Sequence, residues 1–187
     1  MTKPRIIVGI SGASGTPLAV RCLQALRQAG CEIHLVATAS AHKTAEYELD
    51  GPFTQVEELA DVVYSNDAID AAIASGTFET AGMIIIPASM KTVAGVANGF
   101  SEGLLLRAAD VTIKEGRTLV LVARETPLSA IHLRNLAFLS TVPGVRIVPP
   151  MLSYYHKPEG LADVENHIVA KVLQQFGMEA PGFKRWE

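Results

Sequence analysis

The sequence predicts an α/β fold of a single domain, with a doubly wound parallel sheet, Rossmann-like or flavodoxin-like, and helices on both faces. Three observations carry that expectation. Short β-branched runs alternate with longer segments of helical period. The runs are continuously apolar, as strands buried on both faces require. A glycine-rich turn follows the first run directly. Alternating β and α units imply right-handed crossovers. The 187 residues suffice for one full core, and no repeat or linker divides them, so residues 1–187 read as one domain.

In chain order, the strands are expected at Arg5–Ile10, Glu32–Ala37, Gly82–Ile86, Leu119–Ala123 and Val145–Val148, with Asp61–Tyr64 as a weaker one. Residues 17–29, 40–49, 66–75, 91–115, 127–140 and 161–177 read as helices. The composition, 49% hydrophobic and 19% charged, is that of a folded globular chain. A net charge of −3 supplies no basic field, which argues against nucleic acid and anionic membrane as partners. No apolar run approaches the roughly 18 residues of a membrane span, and the first segment is too short for a signal peptide, so a cytoplasmic location is expected. The two cysteines, Cys22 and Cys31, lack metal or redox spacing and read as reduced thiols.

Ligands of such sheets bind at the carboxyl ends of the strands, near the reversal of strand order. The first end reads GISGASG over 9–15, then Thr16 and Pro17. Its glycines allow a tight turn, Ser14 or Thr16 is placed to cap the next helix, and amide groups there suit a phosphate. A glycine-rich turn is also a common structural device. The spacing is not that of a dinucleotide fingerprint, and no carboxylate at the second strand end awaits a ribose diol, which leaves a mononucleotide such as FMN open. Thr38 and Ser40 at the second strand end offer hydroxyls to a ligand or to the next helix as caps, with capping the default for Ser40, and Glu48 in that helix reads by itself as a solvated charge.

The next end is Pro87-Ala-Ser-Met-Lys-Thr92, where Ser89 is placed to cap a helix and Lys91 puts a cation where the helix dipole calls for an anion. The helix beyond carries Arg107 and Lys114 on one face, a pattern that a solvated surface also explains. Arg124 and Glu125 emerge from an apolar strand, with Thr126 and Pro127 expected to start a helix. The last strand leads into a rigid aromatic loop, 149–158, containing Tyr155 and His156. His156 reads as exposed loop. No ligand set for a metal accompanies it, so no metal site is expected.

Together these segments resemble the flavin prenyltransferase family, UbiX-like and formerly described as aromatic acid decarboxylases of the Pad type. The resemblance runs from Ile6 to Trp186. Its strongest stretches are the GISGASG loop, Pro87–Thr92, Leu106–Val111 with Lys114-Glu115, Leu119–Pro127 and Tyr155–Pro158. It implies a flavoprotein domain that joins dimethylallyl monophosphate to reduced FMN across N5 and C6, and hands prenylated FMN to a UbiD-type decarboxylase. It further implies a homo-oligomer, expected as a dodecamer, with sites at subunit boundaries. Carried over by position, Gly12, Ala13, Ser14, Thr38, Ser89, Met90, Lys91, Thr92 and Arg124 match FMN-contacting residues. Glu48, Arg107, Lys114, Glu125, Tyr155 and Lys171 match residues around the prenyl phosphate and the reacting ring. Among these, Glu125 is the candidate acid/base, Glu48 balances charge, and Arg107 and Lys114 stabilise the departing phosphate, with Tyr155 and Lys171 binding the donor.

The chain departs from the family pattern in three places: Lys171 stands where many relatives have arginine, Ala88 where cysteine is frequent, and Leu152-Ser-Tyr154 alters the loop before Tyr155. Two other classes stay open, an FMN-dependent decarboxylase of the same fold and a non-catalytic flavin carrier.

Overall fold

Arg5–Ile10 forms β1, and its residues alternate between two cores: Ile6, Val8 and Ile10 face one side of the sheet, Ile7 the other. The structure is a computed structural model describing residues 3–180 and Phe183. Strands β2 (Glu32–Ala37), β3 (Val62–Ser65), β4 (Gly82–Ala88), β5 (Thr118–Ala123) and β6 (Val145–Ile147) pair with β1 in the order β3-β2-β1-β4-β5-β6, every pair parallel. This is the Rossmann order, and its reversal falls between β1 and β4.

Helices α1 (Thr16–Gln28) and α7 (Leu161–Leu173) cover one face, packing Leu18, Cys22, Leu23, Ile168 and Val172 on the sheet. On the other face lie α4 (Met90–Ala97), α5 (Leu104–Lys114) and α6 (Ala130–Thr141). Helix α2 (Ala39–Glu48) and the short, unexpected α3 (Thr54–Glu57) link β2 to β3. Cys22 and Cys31 are free and buried, and burial, with Cys31 beside it, pushes the Cys22 thiol up to about 12. Among the described residues no helix is long and apolar enough to cross a membrane.

Four sequence expectations change. The helix expected over 91–115 is two helices, because Gly99, in the left-handed region at φ 64°, follows the end of α4 at Asn98. A new start is then supplied from outside: the Asn66 carbonyl accepts the Leu104 N–H at 2.7 Å, and its side-chain Oδ1 accepts that of Leu105 at 3.0 Å. Segment 66–75 is accordingly a turn rather than a helix, with one 3-10 stretch at Ala72–Ala74. Pro127 does not begin a helix, since Ser129 caps α6 in a reciprocal box with His132. The helix expected over 161–177 ends at Leu173 and tightens into a 3-10 turn, Gln174–Phe176.

The Asn66 side chain thus caps α5 from outside, holding an amide 39 positions along the chain. Asn66→Ala is expected to cost about 0.5–2 kcal/mol, the range of a lost helix cap. Urea unfolding would measure it, and an unchanged midpoint would show that water replaces the cap without loss.

Candidate active site

The two loops that flank the reversal point are tied by one buried hydroxyl. Ser11, 2% exposed, donates its Oγ hydrogen to the Pro87 carbonyl at 2.8 Å and accepts the Ser89 N–H at 2.7 Å. Its backbone N–H also reaches the Pro87 carbonyl, at 3.2 Å. Ser11 is not among the residues that the sequence singles out. Its only signal was position: a hydroxyl residue next to the end of a fully buried strand must find a partner there.

Ser89 then caps α4 as expected, its Oγ accepting the Thr92 N–H at 3.3 Å. At the end of β2 the cap is Thr38, not Ser40: the Thr38 Oγ1 accepts the Ala41 N–H at 3.2 Å and shares a hydrogen bond with Ser40 at 3.1 Å. Gly12 lets the first loop lie against Ser40, because a Cβ there would sit 2.5 Å from the Ser40 Cβ. Thr38, Ser40, Ser89, Lys91 and Thr92 come together around one cavity of about 300 Å³. Lys91 makes no ion pair among the described residues. The carboxylates on this cavity, Asp67 and Glu102, come from the loops after β3 and α4 rather than from the β2 end. Met90, by contrast, buries its side chain in the core, 8% exposed, and can offer the site its backbone alone.

The glycine loop holds the largest correction. Neither Ser14 nor Thr16 caps α1; the N-cap is Gly15, which has no side chain to give. The orphan donors are satisfied from α2 instead. The Glu48 carboxylate accepts the Gly15 N–H at 3.0 Å and the Thr16 N–H at 2.7 Å. These amides therefore hold an internal anion, and a ligand phosphate cannot use them while Glu48 stays. Burial pushes the Glu48 carboxyl up, but hydrogen bonds from the Ser14 hydroxyl and the two amides outweigh it and hold it below the usual range.

Arg124 and Glu125 stand exposed at the end of β5, beside β4: the Arg124 N–H donates to the Ala88 carbonyl at 3.1 Å, and Glu125 Oε1 accepts the Thr126 N–H at 3.0 Å. Tyr155 and Lys171 line a second cavity, of about 590 Å³, whose other walls include Val148, Met151, Leu152 and Ile168. Arg107 and Lys114 are not brought to either cavity. α5 runs antiparallel to the strands and buries Leu104, Leu105, Ala108 and Val111, which leaves both cations on its outer side. Arg107 pairs with Asp110 at 2.8 Å and donates to the Ala74 carbonyl at 3.3 Å. Lys114 pairs with Glu115 near the amino end of β5, the end of the sheet away from the cavities. Among the described residues no group of three or more His, Cys, Asp or Glu could hold a metal ion.

A parallel sheet of this order, with hydroxyls and a lysine gathered near its reversal point, defines a nucleotide-binding α/β protein. The chain matches the flavoprotein family model over residues 1–177. It is 50% identical to flavin prenyltransferase LpdB of Lactiplantibacillus plantarum, covering 98% of each chain. A dodecameric FMN-dependent UbiX-like decarboxylase from Escherichia coli O157:H7 superposes with a TM-score of 0.95 at 50% identity, covering 98% of this chain and 99% of that one. AnUbiX, solved with FMN and dimethylallyl pyrophosphate, gives 0.97 at 41% identity, covering 100% and 98%. The chain belongs to the flavoprotein family and, within it, to the UbiX-like flavin prenyltransferases.

Because its carboxyl sits below the ordinary 4.5, Glu48 stabilises the fold above that value, and the contribution is lost as pH falls through the lowered one. Glu48→Ala is expected to cost about 0.5–1 kcal/mol at neutral pH, the lower part of the capping range because the carboxylate is only half-buried. The gap to the parent should close in acid. A gap that persists unchanged at pH 3 would assign the loss to packing.

Proposed function

We infer that the chain transfers the dimethylallyl group of dimethylallyl monophosphate to reduced FMN, closing a ring across N5 and C6, and that prenylated FMN passes to a UbiD-type decarboxylase. The observation that supports this reading is the presence of two cavities with different linings. One mixes apolar side chains, Leu105 and Leu106 among them, with Lys91 and the hydroxyls of Thr38, Ser89 and Thr92. The other is walled by Val148, Met151, Leu152 and Ile168, with Lys171 and Tyr155 as its cation and phenol.

The residues fit a flavin mononucleotide. Hydroxyls with one lysine at a helix start suit a monophosphate, and Arg124 stands at the adjacent strand end to hold the cofactor. Reduced FMN supplies the electron-rich atoms that accept the prenyl carbons. The protein's part is to stabilise the leaving phosphate with cations, to shield the allylic carbon from water with the apolar wall, and to accept the proton released on ring closure. Glu125, exposed at the β5 end, is assigned that last role. Glu48 is assigned to order the glycine loop. Free, buried cysteines and a reduced flavin suit the reducing cytoplasm.

Arg107 and Lys114 complete the site from another copy of the chain in this reading. Their outward placement on α5 allows it, and so does the apolar surface of α6, where Ile131, Leu133 and Phe138 are exposed. A homo-oligomer, a dodecamer as named for the Escherichia coli protein, would bury that surface.

Anaerobic incubation with reduced FMN and dimethylallyl phosphate should yield a flavin heavier by the prenyl group, detected by mass spectrometry. Glu125→Gln should keep FMN and slow turnover by about 10²–10⁴-fold, while Arg124→Ala should lose flavin. A Glu125→Gln protein that forms the cyclised product at the parent rate would remove Glu125 from the chemistry.

Shared sites make a separate expectation. Lys114→Ala and Lys171→Ala chains, each inactive alone, should regain part of the activity when co-expressed, because some mixed sites carry neither lesion. No recovery in verified mixed oligomers would place both lysines in one chain's site.

A further inference from the structure

Contrary to the sequence expectation, His156 is not an exposed loop residue. Both of its ring nitrogens are shielded from solvent and have no hydrogen-bond partner among the described residues. The ring lies flat on His167 of α7, with centroids 4.7 Å apart and planes 10° from parallel. Phe183 continues the contact, 5.4 Å from His167. The turn that aims His156 inward is itself constrained. Lys157 occupies the left-handed region at φ 50°, and its N–H closes the turn on the Tyr154 carbonyl at 3.0 Å. A non-glycine residue is rarely found there unless its surroundings demand it.

The consequence concerns the neighbours in sequence. His156 follows Tyr155, and His167 precedes Lys171 by one helical turn, on the same face. The stacked pair therefore joins the loop that carries the phenol to the helix that carries the cation, and His167, Tyr155 and Lys171 line the same cavity. We propose that the His156–His167 stack is a positioning element for the phosphate of the prenyl donor, holding Tyr155 and Lys171 around one anion and releasing them when an imidazole becomes charged. This rests on the functional reading above.

The charged groups around the pair are Lys157, Glu159 and Asp163 on the loop and helix start, and Lys171 one turn on. Arg21 of α1 is committed to Glu165 and Asn166. Burial, then His156, then Lys171 hold the His167 ring below its ordinary 6.5, so the stacked arrangement disfavours the proton. Sign follows directly: the stack is fully present above 6.5 and is weakened as pH falls below it. Donor affinity should fall with it, and the chemical step should not.

The test uses the full-length protein loaded with oxidised FMN, to which dimethylallyl phosphate binds without reacting. Its dissociation constant is measured by calorimetry between pH 5.5 and 8, with kcat measured separately on the reduced form. His156→Ala should weaken binding about 3–10-fold at pH 7.5, the worth of an aromatic pair, with flavin content unchanged. His156→Phe restores a ring and tolerates a charged His167 beneath it. It should bind as the parent does at pH 7.5 and more tightly than the parent at pH 5.5. The donor's own ionisation acts equally on every protein, so the ratio to the parent is the readout.

A His156→Phe protein as weak as His156→Ala, or a ratio that does not change with pH, overturns the proposal. So does a parent that binds more tightly than His156→Phe in acid, since His167 would then be gripping the phosphate as a cation. If His156→Ala loses flavin through misfolding, the His156→Phe ratio alone decides. A parent that makes no prenylated flavin overturns the functional reading instead, and the calorimetric comparison still judges the pair.

Discussion

The buried Ser11 hydroxyl is the joint on which the site depends. It donates to one strand-end carbonyl and accepts one amide, so β1 and β4 are locked together where their crossovers diverge. Parallel neighbours splay their connections to opposite faces at this point, which opens a crevice. A crevice lined by loops alone would be soft. One fully satisfied hydroxyl makes its walls a single unit, and passes the position of Ser89 on to α4 and its hydroxyl cluster.

Charge is arranged around that joint in a way a motif cannot express. The start of α1 is neutralised by Glu48, whereas the start of α4 carries Lys91 with no ion pair among the described residues. The two helix starts on either side of the crevice therefore differ in their appetite for an anion. One is filled from within the fold, and the other adds a cation to the helix dipole. The glycine loop, which by sequence suits an anion, has the amides of Gly15 and Thr16 already occupied by Glu48.

The remaining cations follow the logic of amphipathic helices. Burying an apolar stripe of α5 forces Arg107 and Lys114 outward, and burying that of α7 leaves Lys171 exposed beside the Tyr155 loop. Each cation stands on the rim of the molecule rather than in its core. A charge kept at the rim avoids the desolvation cost of the interior.

What the sequence by itself determined was whatever neighbours in the chain control. Continuous β-branched runs set the parallel strands, helical period set most of the helices, and Ser89 capped the helix beside it as its position implied. The gathering of Thr38, Ser89, Lys91 and Thr92 followed from strand ends alone, because a parallel sheet brings all those ends to one edge. Only the tertiary structure decided the partners that close across long loops. Glu48 reaches an amide 33 residues away, Ser89 reaches a hydroxyl 78 residues away, and Asn66 splits an apparently continuous helix by starting its second half. Lys114 went to the far end of the sheet, and His156 turned inward onto His167. A local pattern states which groups need a partner. Which group answers depends on what packing brings within about 3 Å, and that is a property of the whole fold.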